Sequence, residues 1–341
     1  MKYKLFGKTG LRVSELCLGT MTFGEEWGTG ANKEESKKIF DHYVEQGGNF
    51  LDTANRYTEG TSEEWLGEFM GNERDRFVVA TKYTLYDDPT NINASGNHRK
   101  NMFRSVEQSL KRLNTDYIDI LWVHMWDFTT PVEEVMRGLD DLVRMGKVHY
   151  IAVSDAPAWV VAKANTLAAL RGWTPFTGLQ IEYSLIERTV EQELLPMAKD
   201  FDLCITPWSP LGAGMLTGKY NEGLAEGGRL SEKSVKFTEH NQKIARKVSE
   251  VAEKIGATAP QVALAWLRQQ DQQVIPIIGA RKMSQLKDSM GCLEVVIPDE
   301  LMNELDEVSK VALGFPQAFF NLPNVQKVMF GDHGEDLENH H

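Results

Sequence analysis

"NFLDTANRYTEGTSEEWLG", Asn49 to Gly67, holds one complete structural unit in nineteen residues. Asn49-Phe50-Leu51 is an apolar run, and Asp52 closes it. Tyr57 follows in a loop marked by Gly60, and Thr61-Ser62-Glu63-Glu64 places hydroxyls ahead of acids, the pattern of a helix start. The unit reads as strand, loop, helix. An acid at a strand's end with a phenol close by is either local capping chemistry or half of a proton-transfer site.

The same unit recurs along the chain. Short apolar runs stand at Leu16–Thr20, Phe50–Asp52, Phe77–Ala80, Ile118–Val123, Val148–Val153, Gly178–Ile181, Leu203–Thr206 and Val274–Ile278. Helical patterns lie between and after them, at Lys33–Gln46, Ser62–Met70, Arg99–Leu113, Val132–Met145, Ala158–Leu170, Glu191–Lys199, Asn241–Ile255 and Ser284–Met290. Apolar strands separated by amphipathic helices imply a parallel sheet covered on both faces. Eight such units point to a closed (β/α)8 TIM barrel. Ahead of them, Tyr3–Phe6, a Gly7–Gly10 turn and Leu11–Val13 read as an N-terminal β-hairpin that plugs the barrel's amino-terminal mouth. Extra C-terminal helices are predicted at Gln261–Arg268 and Asp299–Val311.

Composition narrows the function. The chain has 341 residues, 42% of them hydrophobic, with a formal net charge of -12. That charge argues against nucleic acid or an anionic membrane as partner. Cys17, Cys204 and Cys292 match no zinc spacing and no closed disulfide framework, and no metal-ligand motif stands elsewhere. The N-terminus lacks an apolar signal core and no run is long enough to cross a bilayer, so a cytoplasmic protein is expected. No linker or low-complexity tract interrupts residues 1–341, which read as a single domain with a flexible end after about 331. The longest irregular piece, Ser209 to Thr238, is rich in glycine. Loops of that length in compact domains are functional or disordered.

In such a barrel, chemistry sits where the strands end. Asp52 and Tyr57 follow one strand, "RFVVATKY" delivers Lys82, and "IDILWVHMWD" delivers His124. Singly, each has an ordinary role: a loop cap, a loop aromatic, a surface cation, a core imidazole. Together, at the ends of three consecutive strands, they face one mouth. They resemble the Asp/Tyr/Lys/His tetrad of the aldo-keto reductases. "ATKY", "LWVHMWD", "VSDAPAW", "QIEYSL", "TPWSPLGAGMLTGKY" and "IIGARKMSQL" are similar to that family in order and spacing, from the hairpin to about Leu286.

The chemistry fits the residue types. Carbonyl reduction needs a hydride on carbon and a proton on oxygen. A phenol is protonated at neutral pH and donates weakly. A neighbouring ammonium stabilises the phenolate left behind. A carboxylate supplies the ammonium's counter-charge, and an imidazole holds the carbonyl oxygen at the donor. Tyr57 is thus the expected general acid, Lys82 its tuner, Asp52 the anchor and His124 the orienting group.

The resemblance further implies NADPH/NADP+ and a small-molecule carbonyl substrate. No Rossmann fingerprint is present: Gly212 to Gly218 follows a strand, but no ribose-binding acid stands at the expected distance. By resemblance, Thr20 and Met21 lie beside the nicotinamide ribose. Ser154, Asp155 and Gln180 meet the carboxamide, and Trp208 stacks on the ring. The family usually has asparagine where Asp155 stands. Ser209, Pro210, Leu211 and Gly212 begin a loop over the pyrophosphate. Lys219, Arg229, Gly279, Ala280 and Arg281 form the phosphate end, joined by Lys282, and Gln285 lies near the adenosine. Phe23, Trp27, Tyr83 and Trp126 are loop aromatics expected to line a pocket for an apolar or aromatic carbonyl. Two further readings stay open: a regulatory subunit of the same fold, like the potassium-channel beta subunits, and an aldolase using Lys82 as Schiff-base nucleophile.

Overall fold

A computed structural model describes residues 1–224, 230–270 and 273–337. Strands β1 (Tyr3–Leu5) and β2 (Arg12–Ser14) pair antiparallel as the hairpin. Among the described residues eight further strands follow: β3 (Cys17–Gly19), β4 (Phe50–Asp52), β5 (Val78–Tyr83), β6 (Ile118–Val123), β7 (Val148–Ser154), β8 (Phe176–Glu182), β9 (Cys204–Trp208) and β10 (Ile277–Gly279). All neighbours are parallel, in the order β10-β3-β4-β5-β6-β7-β8-β9. The last seam closes through a parallel bridge between Ile205 and Val274. The chain is therefore a (β/α)8 TIM barrel with an N-terminal hairpin, as the repeated unit predicts.

The eighth strand is shorter than its apolar run. Pro276 has no N–H to give the ladder, so the run divides there. Val274 bonds toward β9, and Ile277–Gly279 pairs with β3.

Helices α1 (Lys33–Glu45), α2 (Thr61–Met70), α3 (Arg99–Arg112), α4 (Val132–Arg144), α5 (Ala158–Arg171) and α6 (Leu194–Asp200) wrap the outside. α7 (Glu239–Ile255), α8 (Ala259–Arg268), α9 (Met283–Met290) and α10 (Asp299–Ser309) continue the ring, and α11 (Gln317–Phe320) and α12 (Pro323–Phe330) form the tail. Sequence caps set several boundaries. Asn32 accepts from the Glu35 N–H to start α1, and Thr258 with Gln261 forms a capping box at α8. α6 starts later than its pattern predicts, because Thr189–Glu191 is a separate 3-10 turn. The predicted flexible end falls partly on residues 338–341, which lie outside the described residues.

Side-chain alternation divides each strand into an outer and an inner set. Leu51, Val79, Leu121, Val153 and Ile205 face the helices. Phe50, Ala80, Trp122, Ala152 and Cys204 face inward and share one cluster with Phe6 of the hairpin. Phe6 meets Phe50 and Trp122 edge-on, with ring centroids 5.8 and 6.1 Å apart. A Cβ on Gly178 would come within 2.5 Å of the Phe6 ring, so this inward site must be glycine. The hairpin thus closes the amino-terminal mouth with apolar packing. Continuing the same inward parity upward reaches Asp52, Lys82, His124, Ser154, Gln180 and Trp208.

Candidate active site

Those inward positions at the carboxyl ends carry most of the site. Lys82 is wholly buried. Its Nζ donates to Asp52 Oδ2 at 2.5 Å, to the Thr53 carbonyl at 2.8 Å and to Tyr57 Oη at 3.1 Å. Three partners satisfy its three donors. The second carboxylate oxygen, Asp52 Oδ1, accepts from Gln180 Nε2 at 2.9 Å. The His124 ring stands edge-on to Tyr57, with centroids 5.8 Å apart. The four residues expected to converge do so.

The electrostatics suit a proton donor. Burial pushes the Tyr57 phenol above its ordinary range; the Lys82 ammonium pulls it back and the Asp52 charge adds to the rise. The resting phenol is protonated. Burial pulls the Lys82 pKa down, but Asp52 and then Tyr57 outweigh it and the net shift is upward, so it stays a cation. Burial, and then Lys82, hold His124 well below its usual value, so it is a neutral imidazole at neutral pH.

Tyr57 rides on a loop held from beneath. Arg112 donates to the Asn55 carbonyl at 3.2 Å and to Glu63 at 3.1 Å, and Thr81 Oγ1 donates to the other Glu63 oxygen at 2.5 Å. Thr20 Oγ1 bonds Ser62 and the Asp52 carbonyl, and Ser62 also bonds Thr53. Glu63, Arg112 and Ser62 were missed by the strand-end rule. A signal existed: Ser62, Glu63, Leu66, Gly67 and Met70 share the buried face of α2, which places an acid among core positions.

The rim aromatics divide. Trp27 is 40% exposed, donates to Glu59 and meets the Tyr57 ring edge-on at 6.4 Å. It adjoins a recess of about 240 Å³ bounded by Met21, Thr22 and Thr58. Phe23 and Tyr83, both expected in the pocket, are instead buried in the helix packing. Alternation explains Tyr83: Lys82 points in, so its neighbour points out toward α3, where its hydroxyl reaches the Asn97 carbonyl. Phe23 packs edge-on to Phe69 of α2, 6.2 Å between centroids. Trp126 belongs to the same outer core as Tyr83.

At the ends of β7 to β9 the residues fit a nicotinamide. Ser154 and Gln180 are buried, and Trp208 keeps a partly exposed face. With its N–H given to Asp52, Gln180 keeps Oε1 as an acceptor that no described residue uses. His124 Nδ1 and Thr206 Oγ1 are buried without partners among the described residues, so this mouth has unmet hydrogen-bonding capacity. Asp155 departs from the expectation: its Oδ1 accepts the Trp208 indole N–H at 3.0 Å.

The phosphate end is less complete. Gly212, Gly214 and Gly218 all have positive φ, as the turns after β9 require. The N–H groups of Gly212 and Gly214 already bond the Ser209 and Leu211 carbonyls, and that of Ala213 bonds Ser209 Oγ. These three amides are not an open cradle. Pro210 is buried, Leu211 packs on the core and Lys219 is exposed. Gly279 is exposed, and the Ala280 carbonyl accepts from Thr22. Gln285 Oε1 accepts the Arg281 N–H at 2.9 Å, while the Arg281 and Lys282 side chains make no ion pair among the described residues. Arg229 lies outside the described residues.

Comparison with known proteins agrees with this geometry. The model of the Aldo/keto reductase family matches residues 15–310. The chain belongs to the aldo/keto reductase family. It is an oxidoreductase of that family, whose members work with a nicotinamide cofactor. It is 42% identical over 323 residues to the norsolorinic acid reductase of Emericella nidulans, covering 91% of this chain and 82% of that protein. It is 40% identical over 333 residues to the aryl-alcohol dehydrogenase [NADP(+)] of Phanerodontia chrysosporium, covering 91% of this chain and 86% of that one. Among the described residues no helix is long and apolar enough to cross a membrane.

Proposed function

We propose that this reductase converts an aryl aldehyde or ketone to its alcohol with NADPH, and that Tyr57 is the general acid. The observation that carries this reading is the Lys82 ammonium bonded at once to Asp52 and to the Tyr57 phenol. The cofactor, when bound, supplies the hydride. Tyr57 Oη supplies the proton to the carbonyl oxygen, and the Lys82 ammonium stabilises the phenolate that results. Asp52 keeps that ammonium charged in a buried place. Neutral His124 hydrogen-bonds the carbonyl oxygen and leaves proton donation to the phenol.

Trp27, partly exposed and edge-on to Tyr57, offers flat apolar surface beside the proton donor, which favours an aromatic substrate. The names of the two relatives above, a reductase and an aryl-alcohol dehydrogenase, support the same class. Preference for NADPH rests on Arg281 and Lys282, whose guanidinium and ammonium suit a 2'-phosphate. Three free, buried cysteines fit a cytoplasmic location. The aldolase reading needs a neutral lysine, and the Asp52 pair with its raised basicity opposes that.

Tyr57→Phe tests the assignment. Reduction of a benzaldehyde is expected to fall by about 10³-fold, within the range for losing a general acid, with NADPH binding within about twofold of wild type. Reduction that survives near the wild-type rate would remove Tyr57 from the role. A wild-type chain that binds NADPH but reduces no carbonyl in a broad panel would instead favour the regulatory subunit.

A further inference from the structure

We infer that Asp155 sets the redox preference of the cofactor site: its carboxylate fixes the Trp208 ring and favours NADP+ over NADPH. The inference rests on the cofactor reading above and adds a selectivity to it.

Asp155 follows β7 with φ at +44°, a left-handed backbone that Asp and Asn adopt more readily than other non-glycine residues. Its backbone is latched on both sides. The Asp155 N–H donates to the Gln180 carbonyl at 3.2 Å, and the Trp126 N–H donates to the Asp155 carbonyl at 3.4 Å. The side chain is thereby aimed at the end of β9, where Oδ1 accepts the Trp208 indole N–H. An indole so held loses rotation about its stem, and its exposed face is preset for stacking.

The charge has a separate consequence. At the ends of β4, β5 and β6, Asp52 and Lys82 cancel and His124 is neutral. Lys236, near the Trp208 face, is paired with Glu182, and Arg56, beside Trp27, is paired with Glu59. Asp155 is left as an unbalanced negative charge among these groups. Burial holds its pKa above the ordinary carboxylate value, and the Trp208 hydrogen bond and then the Lys82 charge offset part of that rise; the indole N–H donated to Oδ1 is the contact that favours the charged form. An oxidised nicotinamide ring is a cation and a reduced one is neutral. A fixed anion beside the ring therefore binds the oxidised form better, and an asparagine of the same shape does not.

Asp155→Asn separates the two roles, because an amide oxygen still accepts from Trp208 but carries no charge. Dissociation constants for NADP+ and NADPH, measured by calorimetry on the whole chain, give the readout without turnover. NADP+ is expected to weaken about tenfold while NADPH changes less than twofold, so the bound couple's potential rises by ~30 mV. Asp155→Ala, which frees the indole as well, is expected to weaken both forms. If Asp155→Asn does not fold, Asp155→Ser removes the charge and retains an acceptor. An unchanged ratio of the two constants in the uncharged variant overturns the inference alone. Failure of the wild-type chain to bind either form overturns the cofactor reading and the inference with it.

Discussion

The two ends of the barrel interior are built from the same strand positions and do opposite work. At the amino end, Phe6, Phe50 and Trp122 fill the space with edge-on rings and no charge. At the carboxyl end, the next inward residues on the same strands are Asp52 and His124, with Lys82 between them on β5. A single outward-facing residue separates each apolar side chain from its polar successor, so the change occurs within one inward step. The apolar end supplies rigidity. The polar end uses it to keep a wholly buried ammonium in contact with its three partners. A buried charge is costly unless it is paired and hydrogen-bonded, and the closed lower end helps hold that pairing in place.

Changes at the lower end are expected to act on stability. Phe6→Ala removes the ring that joins Phe50 to Trp122 and opens the amino-terminal mouth. Unfolding free energy is expected to fall by about 3–5 kcal/mol, the usual result of deleting a core phenylalanine, while the folded fraction keeps its turnover number. Chemical denaturation alongside active-site titration checks this. A loss of turnover at full stability would show that the two ends are not separable.

A smaller effect is expected at the edge of the polar end. Arg281→Ala is expected to weaken NADPH by about tenfold with NADH nearly unchanged, as loss of one charge-assisted phosphate contact would produce. Equal weakening of both would remove Arg281 from the 2'-phosphate and leave it a role common to both cofactors.

Much of this was legible in the sequence because the polar end is written in strand periodicity. Asp52, Lys82 and His124 each close an apolar run, and a parallel barrel brings such endings together. The same periodicity, carried one residue further, excludes Tyr83 from the pocket, since successive side chains on a strand face opposite ways. What remained illegible were pairings between distant segments. The Gln180 bond to Asp52 spans 128 residues and the Trp208 bond to Asp155 spans 53. Neither leaves a local mark, because each depends on side-chain reach across the barrel mouth. The Arg112–Glu63 clasp is intermediate. Helical spacing shows Glu63 on a buried face of α2, but not which cation meets it.

The central claim is that Tyr57 and Lys82 act as one proton-donating unit, and a double-mutant cycle tests it most directly. Single-turnover reduction would be measured for the wild type, Tyr57→Phe, Lys82→Met and the variant carrying both. The account predicts strong non-additivity, with the double variant about as slow as the slower single one, as found for groups that work together. Losses that multiply independently would contradict it, because each side chain would then contribute without the other.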